Sequence, residues 1–115
     1  MTVSGLLKIY DELPAFGALA EALGRHEPIP ALLLPPGARP SIAARLYLEQ
    51  NAPVLLLTGK VEKAAAWVQA LEMYLPAGDV MRRLPEPTPL PYDRGPWGER
   101  CRHGRLEVLT RLMAG

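Results

Sequence analysis

The chain is poor in cysteine, in aromatic residues and in net charge, and each shortage narrows what it can be. A lone Cys101 closes no internal disulfide, so a cystine-stapled scaffold is excluded and a reducing, cytoplasmic setting is expected. Cys101, His26 and His103 show no zinc-ligand spacing, and no metal is expected. With 13 Lys and Arg against 12 Asp and Glu, the net charge gives no general pull toward nucleic acid. No apolar run approaches the roughly 20 residues needed to cross a bilayer. The N-terminus carries Asp11 and Glu12 and no cleavage pattern, so it is not read as a signal peptide, and no membrane partner is expected. Acid-base or nucleophilic catalysis has no visible basis, because no carboxylate pair or Ser-His-Asp set stands out. Cys101 and His103 lie two apart, on different faces of a helix. The chain therefore reads as non-catalytic and without a cofactor.

What is present is proline and glycine, 13 and 10 of 115 residues, without a repeat. That describes a turn-rich globular chain, a single domain over 1–115. Charge is unevenly placed: residues 1–80 carry 6 basic and 8 acidic groups, and residues 81–115 carry 7 Arg and 4 acids. The Arg-rich part is read as a solvated, salt-bridged face.

Apolar spacing at Val3, Leu6, Leu7 and Tyr10 predicts a short amphipathic helix, and a second begins at Pro14 with Phe16, Leu19, Ala20 and Leu23 on one face before Gly24. These make an N-terminal helical part over 1–26, with His26 just past a helix end. Continuous apolar runs at Ala31–Leu34 and Val54–Thr58 read as strands buried on both faces. Helices are expected from about Ser41 to Gln50 and from Glu62 to Leu75, the latter broken by Pro76-Ala77-Gly78-Asp79, and a weaker third strand over Val80–Leu84 has Arg82 and Arg83 near a sheet edge. The expected fold is α/β: a β-α-β-α-β unit over 31–84 forming a small parallel sheet with flanking helices. Pro85, Pro87, Pro89, Pro91 and Pro96 make 85–98 an extended loop, and a last helix over 99–113 carries Leu106, Leu109, Leu112 and Met113.

The stretch Ala31–Ser41 has the outline of a phosphate-binding loop: an apolar run, a Pro/Gly turn and a helix. Such a loop works through backbone N–H groups, a lysine and a hydroxyl for magnesium. With Ser41 on the hydroxyl position, Pro40 occupies the lysine position and Arg39 the preceding glycine position, while Pro35 and Pro36 have no N–H. A helix N-terminus alone favours an anion by about 0.3–1 kcal/mol, whereas micromolar binding needs about 8 kcal/mol. Gly37, Ala38, Arg39, Pro40 and Ser41 are therefore read as a vestigial phosphate loop. A second cluster, Tyr92, Asp93, Arg94 and Trp97, is a candidate interaction surface. Within it Tyr92 is expected to pack over the sheet edge with its hydroxyl on backbone.

The order of these pieces carries a family resemblance. Leu13-Pro14, the loop with Gly37, Ala38 and Ser41, the run Pro53-Val54-Leu55-Leu56-Leu57, a helix with Ala64, Trp67 and Leu71, Leu84-Pro85-Glu86, Leu90-Pro91-Tyr92-Asp93, Glu99-Arg100 and Arg105-Leu106-Glu107-Val108-Leu109-Thr110-Arg111-Leu112 together resemble the N-terminal, UvrB-like region of bacterial transcription-repair coupling factors (Mfd). The resemblance spans nearly the whole chain and is most specific at Leu-Pro-Tyr-Asp followed by the Arg-Leu-x-x-Leu-x-x-Leu helix. Glu86-Pro87 departs from the family's Trp-Glu pair, and the loop is richer in proline. The resemblance implies a degenerate P-loop-like first subdomain, truncated from a larger ATP-dependent DNA translocase. It also implies a scaffold supporting UvrA recruitment to stalled RNA polymerase in nucleotide excision repair. UvrA contacts are implied for a following subdomain, and polymerase and DNA contacts for the parent. The alternative is a UvrB-type, nucleotide-dependent DNA repair helicase fragment with a divergent working ATP site. UvrB follows its equivalent of Tyr92 with a DNA-inserting hairpin, and Asp93–Gly98 is too short for one.

Overall fold

Pro14 and Pro40 sit in the first turns of helices, where the missing N–H has no intrahelical partner to lose and the fixed φ is already helical. The computed structural model describes residues 3–76, 81–87, 90, 92 and 94–114. Among them the regular elements are a 3-10 helix over Ser4–Glu12, α1 over Pro14–Gly24, a 3-10 turn over Pro36–Ala38, α2 over Arg39–Gln50, α3 over Val61–Glu72 and α4 over Glu99–Ala114. None of the helices is long and apolar enough to cross a membrane.

The first element is a 3-10 helix rather than an α-helix, unusually long for its type. Its three-residue turn stacks Leu7 and Tyr10 along one edge facing inward, while Leu6 and Ile9, one residue earlier in each turn, face out. α1 closes through Glu27 N–H donating to the Ala22 carbonyl and His26 N–H to that of Leu23, with His26 at φ 57°. That is a Schellman cap in which His26, two residues beyond Gly24, takes the left-handed position. Asn51 does the same after α2 at φ 47°, its N–H donating to the Tyr47 carbonyl. α3 ends at Glu72, and the amides of Tyr74 and Leu75 still reach the Leu71 carbonyl.

These elements gather around α2. Leu7, Ala44 and Leu75 form the buried centre, with Tyr10, Tyr47, Leu71, Tyr74 and Met81 against it. Ala44 is fully enclosed, because α2 meets the 3-10 helix, α1 and α3 together. The Val3 amide donates to the Met73 carbonyl at 2.7 Å and ties the chain start to the end of α3.

The expected parallel sheet is not there. Among the described residues no strand occurs, so the α/β class and the β-α-β-α-β unit over 31–84 are corrected to a helical arrangement. Residues 31–34 and 54–57 are irregular, and all but half-buried Leu34 are exposed, with Leu33 wholly in solvent and Leu57 84% exposed. Val80 lies outside the described residues, as do Ala77, Gly78 and Asp79 of the expected helix breaker, and Met81–Leu84 are irregular. A strand persists only when its backbone groups find a ladder. Here Pro28, Pro30, Pro35, Pro36 and Pro53 flank the runs and remove ladder donors. The faces of α2 that a sheet would cover are already taken by helices.

The result is a small core under a large surface. The accessible area is 9166 Å² and the radius of gyration 16.4 Å, whereas a compact monomer of this mass and length shows about 6,200 Å² and about 13 Å. So small a core leaves little reserve. Leu7→Ala removes its main aliphatic side chain and is expected to cost about 2–5 kcal/mol. Urea unfolding followed by circular dichroism should show the midpoint collapse, while the same change at exposed Leu33 leaves it in place.

Candidate functional site

The turn expected to be a vestigial phosphate loop runs into α2 as the 3-10 turn Pro36–Ala38. Two of its amides are already committed: Ala38 N–H donates to the Pro35 carbonyl at 3.0 Å and Arg39 N–H to that of Pro36. Pro35, Pro36 and Pro40 supply none. An anion nest needs successive amides aimed outward, and here the successive amides of Ala38 and Arg39 point at the turn's own carbonyls. Arg39 is exposed and reaches back to the Leu34 carbonyl at 3.3 Å through Nε.

Ser41 is the one loop residue drawn inside, 7% exposed. Its hydroxyl donates to the Ala38 carbonyl at 2.9 Å and lies 2.6 Å from the Tyr10 hydroxyl. A serine has a single O–H, so with that proton on Ala38 it is Tyr10 that donates to Ser41 Oγ. The hydroxyl that would meet magnesium in a working loop instead pins the 3-10 helix to the start of α2.

Beside this pin lies a cleft of about 610 Å³ between α1 and α2, lined by Asp11, Phe16, Glu21, Arg45, Glu49 and Gln50 among others. Arg45 organises it, donating to Asp11 Oδ1 through Nε at 3.0 Å and Nη2 at 2.6 Å and standing 2.8 Å from Glu49 Oε2. Its guanidinium also lies 5.8 Å from the Phe16 ring centre. The hydrogen bond to Asp11 is the first cause holding the guanidinium above the ordinary arginine value, with partial burial opposing and the Asp11 and Glu49 charges adding. A raised arginine contributes stability that is lost only as pH climbs through the raised value. Arg45 therefore stays cationic across the neutral range. Gln50 Nε2 closes the far end of the cleft on the Ala20 carbonyl at 2.9 Å. This region was missed in the sequence; its one local signal was the i, i+4 spacing of Arg45 and Glu49.

The second candidate cluster is divided. Asp93 lies outside the described residues, as do Pro89 and Pro91 of the proline loop. Tyr92 is 83% exposed, so its ring covers no neighbouring element. Arg94 is exposed. Trp97 lies under the Arg105 guanidinium, 5.0 Å from ring centre to Cζ. That stack belongs to a latch between α4 and the preceding segment. Arg105 Nη1 donates to the Pro85 carbonyl at 2.7 Å, Cys101 Sγ to that of Glu86 at 3.1 Å, and Arg82 pairs with Glu107 at 3.1 Å. At Gly104 an added Cβ would fall 2.8 Å from Pro85 Cγ, so α4 approaches this segment at a distance only glycine permits. A smaller cleft of about 300 Å³ next to the latch is lined by Thr58, Gly59, Lys60, Arg83 and Arg105, among others, at the start of α3.

Among the described residues no group of three or more His, Cys, Asp or Glu stands together to hold a metal ion. No family model matches the chain, and no curated protein and no solved structure matches it.

Tyr10→Phe removes only the donor to Ser41 and should cost about 1 kcal/mol. Ser41→Ala leaves the Tyr10 hydroxyl and the Ala38 carbonyl without their partner and should cost more, about 1–3 kcal/mol. In a double-mutant cycle read by urea unfolding, the paired change should cost less than the sum of the two.

Proposed function

We propose that this chain is a non-catalytic interaction domain, and that it serves as the scaffold part of a transcription-repair coupling factor supporting UvrA recruitment to stalled RNA polymerase. The observation that carries the first half is the surface. At 9166 Å² it exceeds a compact monomer of this mass by roughly 3,000 Å², and leucine and valine at 32–33 and 54–57 and leucines along α4 are among the exposed side chains. A consecutive run of exposed apolar side chains such as Val54–Leu57 is the kind of surface a partner covers.

The turn at Pro35–Ser41 supports the non-catalytic half of the reading, since the amides of Ala38 and Arg39 and the Ser41 hydroxyl are engaged inside the fold. The coupling-factor assignment is supported by the ordered segments from Leu13-Pro14 to the Arg105–Leu112 helix, and it does not draw on a shared sheet.

Titration of the purified chain with a fluorescent ATP analogue, with Arg39→Ala as control, should give only weak anion binding that fades with salt and is indifferent to magnesium. A magnesium-dependent micromolar signal would overturn the reading in favour of a working ATP site. Capture of purified UvrA should fail with this chain alone and succeed when the adjoining subdomain of the parent is attached.

A further inference from the structure

The basic residues of this chain are not all balanced where they stand. Arg25 pairs with Glu21 and Glu27, Arg45 with Asp11 and Glu49, and Arg82 with Glu107. Lys60, Arg83 and Arg105 pair with no carboxylate among the described residues, and all three line the cleft of about 300 Å³ at the start of α3. Arg82 is neutralised by Glu107, while its neighbour Arg83 contributes its charge to the cleft.

The two clefts of the molecule are opposite in sign. The larger is lined by Asp11, Glu21 and Glu49 against Arg45, and the smaller by Lys60, Arg83 and Arg105 against Glu86. Three cations less one carboxylate leave the smaller cleft an excess of two positive charges, and along α3 the next charges, Glu62 and Lys63, cancel. A concave wall of one sign concentrates counter-ions from solution. Arg105 is already set in place, with Nη1 on the Pro85 carbonyl at 2.7 Å and its guanidinium stacked on Trp97, so part of the ordering cost of binding is met before a ligand arrives.

That charge excess discriminates between anions. A carboxylate or a phosphodiester brings one negative charge, whereas a phosphate monoester brings about two and three strong acceptor oxygens, which suits arginine forks particularly well. Val61, Ala64 and Leu84 add apolar wall beside the cations. We infer that this cleft is a binding site for a phosphate monoester carried on a small apolar body, with the phosphoryl oxygens on Lys60, Arg83 and Arg105 and the body against Val61 and Leu84. The inference goes beyond the scaffold reading and stands without it. It also gives the weak anion binding expected of the chain a place remote from Arg39.

The test titrates the full chain with phenyl phosphate, methyl phenyl phosphate and benzoate, which share one apolar ring and differ in the anion. Amide NMR spectra should show phenyl phosphate moving Gly59, Lys60 and Val61 to saturation, with Ala38 and Arg39 left in place and no dependence on magnesium. It should bind at least about tenfold more tightly than the diester or benzoate and lose affinity as salt rises. The double substitution K60S/R83S should weaken it about tenfold or more with an unchanged thermal transition, since both side chains are exposed. Arg83→Glu should do the same and serves if the double variant fails to fold, while Arg39→Ala should leave the affinity as it is.

Equal binding of benzoate or the diester would overturn the proposal, as would undiminished binding by either variant. So would shifts scattered over the surface that never saturate, the mark of charge screening without a site. Tighter binding of a single-stranded oligothymidylate through Lys60 and Arg83 would also overturn it and assign the cleft to a nucleic-acid backbone. Failure of UvrA capture by the longer protein would remove the scaffold reading and leave the phosphate result standing.

Discussion

The close approach of the 3-10 helix to α2 is the constraint on which the rest of the structure depends. It is possible because α2 presents Ser41 and Ala44, small residues one turn apart, where a leucine would hold the neighbours away. Ala44 disappears beneath Leu7 and Leu75, and the Tyr10–Ser41–Ala38 hydrogen bonds satisfy the polar atoms that this closeness buries. With so few other buried side chains, loss of that approach would open the centre that Leu7, Ala44 and Leu75 share.

The same contact accounts for the fate of the phosphate-loop outline. A serine at the start of a helix after a glycine turn is what a nucleotide site requires. It is also what a tight helix junction requires, because a small hydroxyl both fits and satisfies a carbonyl. Prolines at 35, 36 and 40 decide between the two by removing the amides an anion would need. Cavity shape plays no part in that decision.

How much of this could be read from the sequence depended on the kind of signal. The helices were legible because their apolar spacing and proline starts are local properties: Pro14 opens α1, and the segment read from about Ser41 opens at Arg39. The strands were misread because a continuous apolar run reports a need for burial without saying what satisfies it. Ala31–Leu34 and Val54–Leu57 have that character and no ladder partner among the described residues. The first helix was placed correctly but given the wrong turn, since Leu6 and Leu7 suit a 3.6 period and a 3.0 period alike until one of them is seen outside. The Arg45 cleft was illegible because Asp11 and Phe16 reach it across a fold that spacing alone does not reveal.

Gly104 carries a consequence for how this surface would change over time. The glycine touches no partner, yet it sets the roll angle of α4 about its own axis, since even a methyl group there must displace the Pro85 ring. Helical side chains 100° apart per residue convert a small roll into a different set of side chains offered outward. The surface that α4 presents can thus be changed from its hidden side, with every exposed residue left as it is.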